Sequence, residues 1–231
     1  MAALEEHPRY REDRRSRFYA AIRAELRPGI RILDLGSGRL PTIPREWLPP
    51  DASYVGLDVS RHELESAPAG GYDEVVVADI QADVPALHDS VDLAVSWQML
   101  EHVRLMAPAV ANVRAYLRDG GLFVATLSGG WSLFAIANRL VPHRIARAAL
   151  HRLLGRDPAT VFPAPYDSCT ASALRRHLAG WSEVNVVPIY QGAMYFGFFQ
   201  PLQALYLAFE DAIARGNHED LATHYLVIAR K

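Results

Sequence analysis

The chain is poor in several residue types. Of its 24 basic residues only Lys231 is a lysine, which leaves 23 arginines. With the abundance of alanine, this bias reports the codon supply of a GC-rich, bacterial type of genome more than any chemistry. There is one cysteine, Cys169, so no internal disulfide can form. No apolar run approaches the roughly 20 residues that span a bilayer, and the first residues lack the apolar core of a secretory signal. A cytoplasmic location is the simple expectation, with peripheral membrane contact left open. Positive charge is not in excess either: the net charge is -2 and the pI about 6.5, which gives no global field for nucleic acid. The arginines between Arg9 and Arg27 are interspersed with acids, so an RNA site there is unconvincing.

What the chain does contain suits one folded domain over residues 1–231. Half of the residues are hydrophobic and 22% are charged, enough to build a core. Phe18, Ile22 and Leu26 form an i, i+4, i+8 stripe that predicts an N-terminal helix from Arg9 to Leu26, stopped by Pro28-Gly29. Short apolar runs then read as strands at Arg31–Leu35, Ser53–Leu57, Glu74–Val77, Val91–Ser96 and Gly121–Leu127. The clearest helix between them is Val103–Leu117. Strands alternating with helices predict parallel strands joined by right-handed crossovers, with ligand at their carboxyl ends. Later signals are an apolar segment Trp131–Val141, an arginine-rich helix His143–Leu154 and a helix to Ala179 capped by Thr170. A strand Glu183–Tyr190, a helix Pro201–Ala214 and a strand Thr223–Ala229 follow.

The most informative stretch is ILDLGSGRL at Ile32–Leu40. A glycine turn after a buried strand lets a ligand approach the backbone. The dinucleotide pattern G-x-G-x-x-G fails here, because Pro41 stands where the third glycine belongs. Two carboxylates follow: Asp58, in YVGLDVS, ends the second strand twenty residues after Gly38, where it can accept both hydroxyls of a ribose. Asp79, in VADI, ends the third strand near where an adenine edge would lie. Asp34 can anchor the turn or receive an amino group. Asp34 or Asp79 alone is more often a turn former than a ligand, and D-x-G-x-G also occurs in ordinary strand-to-loop turns.

Taken in order, ILDLGSG, YVGLDVS, VADI, VDLAVSWQMLEHV and LRDGGLFVATL resemble the motifs of class I S-adenosylmethionine-dependent methyltransferases. The resemblance covers about Arg31 to Ser128. It implies an α/β, Rossmann-like, doubly wound seven-stranded sheet whose last strand is antiparallel, with an N-terminal helix and helical insertions covering the active site. The parts would be an N-terminal helix (1–29), a cofactor-binding core (30–128), a helical cap (129–180) and the last strands with an inserted helix (181–231). S-adenosylmethionine would be held by Asp34, Gly36, Ser37, Gly38, Asp58, Val59, Asp79, Ile80, Trp97 and Gln98. Its sulfonium already activates the methyl group, so catalysis is largely alignment, worth on the order of 7 to 11 kcal/mol in favourable cases.

The SWQMLEHV stretch also resembles ubiquinone-type O-methyltransferases, in which Glu-x-x-Glu-His can hold a divalent ion. Gln98 replaces the first glutamate, so no essential metal is expected. His102 is a candidate general base, with pinning of the local turn as the plainer role. Acceptor contacts are expected from Tyr166 and from Arg139 and His143. The arginines from Arg139 to Arg156 suit an anionic headgroup, a membrane surface or simply solvent. Between Tyr190 and Phe209 lie seven of the chain's 22 aromatic residues, suited to a pocket wall, a membrane contact, a dimer interface or core packing. The expected partner is a small-molecule acceptor, methylated at oxygen, with nitrogen or carbon as alternatives, and the protein a monomer or homodimer. A sugar or lipid-linked glycan is the competing acceptor class. A non-catalytic cofactor-binding scaffold is the competing function.

Overall fold

The computed structural model describes residues 6–132 and 164–231, together with residues 4, 135 and 136. Seven strands form one sheet in the order β3-β2-β1-β4-β5-β7-β6. They are β1 (Arg31–Leu35), β2 (Ser53–Asp58), β3 (Glu74–Val77), β4 (Val91–Trp97), β5 (Leu117–Ser128), β6 (Glu183–Ile189) and β7 (His224–Arg230). β7 runs antiparallel to both β5 and β6, while the pairings among β1 to β5 are parallel. This is the Rossmann-like methyltransferase arrangement that the motifs implied.

The two faces of the sheet follow the two-residue period of a strand. Ile32, Tyr54, Leu93, Val95, Leu122, Val124 and Leu226 pack with Phe18 and Ile22 of helix α1 (Arg14–Glu25). Their neighbours Leu33, Val55, Phe123, Ala125 and Val227 face the other way, onto α3 (Met106–Tyr116) and α4 (Ala171–His177). A short helix α2 (Arg61–Glu65) follows β2, and α5 (Gln200–Arg215) precedes β7. Pro188 sits in β6, an edge strand, where a missing N–H does least harm.

Helix starts depart from the sequence pattern for identifiable reasons. α1 begins at Arg14 because the Asp13 carboxylate accepts the Arg15 N–H at 3.0 Å, while Pro8–Tyr10 forms a separate 3-10 turn. α3 begins at Met106 rather than Val103, after a 3-10 turn at Leu100–His102. Its first N–H is taken by Asp167 Oδ2 at 2.9 Å, a cap from 61 residues away. The helix led by Thr170 does begin there, with the Thr170 hydroxyl accepting the Ala173 N–H.

Candidate functional site

The carboxyl ends of β1, β2 and β4 meet at the glycine turn. Asp34 is wholly buried at the end of β1. Its carboxylate accepts the Thr42 N–H and the Thr42 hydroxyl, both at 2.7 Å, and the Tyr54 hydroxyl. Tyr54 in turn accepts the Ile43 N–H at 2.9 Å. These bonds fold the loop from Gly36 to Ile43 back against the sheet. Burial pushes the Asp34 carboxyl up to about 6 against the lowering effect of these donors, and the nearby negative charge and burial raise Tyr54 as well.

Gly36 adopts φ +66, and a Cβ there would stand 2.1 Å from Met99 Cγ. Only glycine satisfies both conditions. Its N–H goes to Leu57 O at 2.7 Å. Gly38, at φ +52, donates its N–H to Asp58 Oδ2 at 3.1 Å, while Asp58 Oδ1 accepts the Ser60 N–H at 2.8 Å. Partial burial raises the Asp58 pKa. Each carboxylate oxygen carries two lone pairs, so these bonds leave acceptor capacity at Asp58. Ser37 Oγ is buried beside Tyr72 without a well-formed hydrogen bond.

The other expected cofactor residues divide by exposure. Asp79 is exposed and is held by the N–H of Gln81 at 2.9 Å and by its side-chain amide. Ile80 is buried, whereas Val59, next to Asp58, leaves 64% of its surface open. Trp97 ends β4 on the α1 face. Its ring meets Phe18 edge-on at 5.0 Å, stacks with Tyr19 and lies beneath the guanidinium groups of Arg14 and Arg15.

Immediately after β4 the backbone is strained. Gln98 has φ +53, a left-handed conformation that costs a non-glycine residue about 1 to 3 kcal/mol. It is held there by its N–H on Thr126 O at 2.9 Å and by the Ser128 hydroxyl on its Oε1 at 3.0 Å. Ser128 is also 2.8 Å from Glu101 Oε1, its N–H reaching the same oxygen at 3.3 Å. Glu101 is buried, its second oxygen has no partner among the described residues, and burial raises its pKa. His102 lies on the exposed side of this turn. Tyr166, also left-handed at φ +54, is buried and donates its N–H to Glu101 O at 3.1 Å. Tyr166 is therefore brought to the SWQMLEHV turn from 65 residues away in the sequence. Arg139 and His143, with the segments Trp131–Val141 and His143–Leu154 for the most part, lie outside the described residues.

Several participants were not singled out in the sequence, although Tyr54 and Met99 lie inside the quoted motifs YVGLDVS and VDLAVSWQMLEHV. Thr42, Tyr54 and Met99 support the turn, and Arg14, Tyr195 and His224 gather at the ends of β5 and β7. Pro41 and Pro44 flank Thr42, the motifs contain Tyr54 and Met99, and the aromatic-rich stretch contains Tyr195, but no local signal gives their roles. Among the described residues no three His, Cys, Asp or Glu side chains gather as a metal site, and no helix is long and apolar enough to cross a membrane.

A family model described as a methyltransferase domain matches residues 8–161. No curated protein matches the chain. Among solved structures it is similar to an S-adenosylmethionine-dependent methyltransferase from Mesorhizobium loti, with 24% identity, 92% of this chain and 97% of that one covered, and a TM-score of 0.53. It is similar to a possible exported protein from Bordetella parapertussis (17%, 94% and 67%, 0.55). A third is the phosphoethanolamine N-methyltransferase 2 of Haemonchus contortus in complex with S-adenosyl-L-methionine (12%, 94% and 52%, 0.52). This chain spans about half the length of that last protein. At these identities the likeness is one of fold.

Proposed function

The chain belongs to the methyltransferase domain family, and on that premise we propose that it transfers a methyl group from S-adenosylmethionine to the oxygen of a small organic acceptor with an apolar or aromatic body. The observation that supports this reading most is the turn itself, in which Asp34 fixes the loop while Gly36 and Gly38 take left-handed backbone at the carboxyl ends of β1 and β2. Fixing the loop in advance lowers the entropy lost on binding.

When bound, the cofactor supplies a sulfonium-activated methyl group, so the protein has to hold and align rather than activate. The amides around Gly36 and Gly38 and the buried Ser37 hydroxyl suit the polar methionine end. Asp58 uses its remaining lone pairs for the ribose, and Asp79, Ile80 and exposed Val59 surround the base. Strained Gln98, with Trp97 behind it, borders the reacting end. We assign His102 to the turn rather than to the reacting hydroxyl, because its ring is on the exposed side while Glu101 is buried. The aromatic residues Tyr195, Phe198 and Phe199, all exposed, support an apolar acceptor.

A second reading, a sugar or lipid-linked glycan acceptor, is favoured by the arginines Arg9, Arg14 and Arg17 in a groove of about 280 Å³ beside Ile189. The test is incubation of the purified protein with methyl-labelled S-adenosylmethionine and a bacterial extract, followed by partition. Label in the organic phase that stays there after mild acid hydrolysis supports the apolar acceptor, whereas label in the aqueous phase, or released into it by that hydrolysis, supports the sugar or lipid-linked glycan. Cofactor binding without any transfer overturns the enzymatic assignment.

A further inference from the structure

Arg14 is the first residue of α1, yet its guanidinium turns onto the end of the sheet. Its Nη1 is 2.6 Å from His224 Nε2, and its Cζ is 5.6 Å from the Trp97 ring centre. His224 opens β7 and pairs with Ser128 at the end of β5 and with Ile189 at the end of β6. A guanidinium only donates hydrogen bonds, so Nε2 accepts and the imidazole proton sits on Nδ1. The ring is 1% exposed, and burial holds its pKa down at about 3, so it is neutral at working pH. Its Nδ1 is buried without a partner among the described residues, and the Tyr195 hydroxyl is 3.1 Å from Nε2.

The charges around this group are uneven. In the same groove Arg9 pairs with Asp211 and Arg17 with Glu12. Arg14 makes no ion pair with a carboxylate among the described residues; its partners are a neutral ring and an indole face. A half-buried cation without a counter-charge is unfavourable by itself. The cluster stands at the carboxyl ends of β4, β5 and β6, beside Gln98 and Ser128, where the reading above places methyl transfer.

We propose that Arg14 recognises the acceptor and that the acceptor carries a carboxylate next to an apolar body, an inference that rests on the methyl-transfer reading for the meaning of this site. A planar guanidinium matches a carboxylate through two parallel hydrogen bonds. Of the three arginines that line the groove, Arg9 and Arg17 are already paired with carboxylates, and Arg14 is left to meet a single negative charge, which suits a carboxylate better than a dianionic phosphate. His224 orients the guanidinium through Nε2. Beside it, Tyr195 and Met194, 38% and 51% exposed, form the apolar flank that the remainder of the acceptor would cover.

The test is calorimetric titration of the protein, saturated with S-adenosylhomocysteine, by decanoate and by its neutral counterpart decanamide. Decanoate should bind about tenfold or more tightly than decanamide, as expected for a charge-assisted pair. The preference should vanish in Arg14→Gln and persist in Arg17→Gln. Equal binding of the two probes, absence of decanoate binding, or an undiminished preference in Arg14→Gln overturns the proposal. Should Arg14→Gln fail to fold, Arg14→Lys decides: the preference should fall several-fold with decanamide binding unchanged, and a full preference overturns the proposal. If decanoate binds through Arg14 but S-adenosylhomocysteine does not bind at all, the anion site stands and the methyl-transfer reading falls. If the cofactor product binds and decanoate does not, the reverse holds.

Discussion

The Gly38 N–H rests on Asp58 Oδ2 at 3.1 Å, which joins the turn after β1 to the end of β2. The carboxylate that would meet a ribose also holds the backbone that would meet the methionine end. The two halves of the proposed cofactor site are one hydrogen-bonded unit.

Replacing Asp58 with Ala should therefore act twice, on the ligand and on the turn. S-adenosylhomocysteine affinity should fall by about ten- to a hundredfold, the range for losing hydrogen bonds to a charged group. Calorimetry measures it, and unchanged binding refutes the assignment of Asp58 to the cofactor.

Asp34 gives a pH signature. Its folded-state pKa of about 6 lies above the unfolded value of 3.8, so between these values the folded state binds more protons than the unfolded one and stability falls as pH rises. The contribution is fully present below about pH 4 and is lost as pH rises through about 6. The difference between 3.8 and about 6 corresponds to about 3 kcal/mol. Denaturant unfolding of the wild type and of Asp34→Asn across pH 4 to 7 should show that difference, since the asparagine does not titrate.

Gly36→Ala should destabilise the fold by about 1 to 3 kcal/mol and abolish cofactor binding. It meets both a left-handed backbone and Met99 Cγ at 2.1 Å. Adding Met99→Ala should recover part of the stability, because it removes the collision with Cγ while the backbone penalty stays. A thermodynamic cycle reads the coupling, and strict additivity would show that the two residues do not collide.

Ser128→Ala removes the hydroxyl shared by Glu101 and Gln98. Buried Glu101 then loses a donor on the one oxygen that has any, at a cost of about 1 to 3 kcal/mol. Urea denaturation gives the value. Methyl transfer should fall as well, because Gln98 loses a bond that keeps it at positive φ.

Much of the scaffold was legible in the sequence because it is encoded locally. The apolar runs of β1 to β5, the Gly36-Ser37-Gly38 turn and the carboxylates after β2 and β3 are contiguous signals, and the family motifs ordered them. The partners that make the site specific are not contiguous. Thr42 and Tyr54 occupy Asp34 from two other elements, so the sequence left open whether that carboxylate anchors or binds. Asp167 caps α3 across 61 residues, which is why Val103 looked like the helix start. Arg14 and His224 stand 210 residues apart, each unremarkable in its own stretch. Local patterning specifies elements, whereas these contacts depend on which elements the topology brings together.

The position of β7 constrains the order in which the protein can be built. β6 has β7 as its sheet neighbour, and β7 fills the gap between β5 and β6. On the ribosome, residues 183–189 emerge before any strand is available to pair with them, and the side of β5 stays open until residues 224–230 follow. The nascent chain must therefore hold two unpaired strand edges through the synthesis of α5, an interval in which chaperone capture and off-pathway association compete with closure of the sheet.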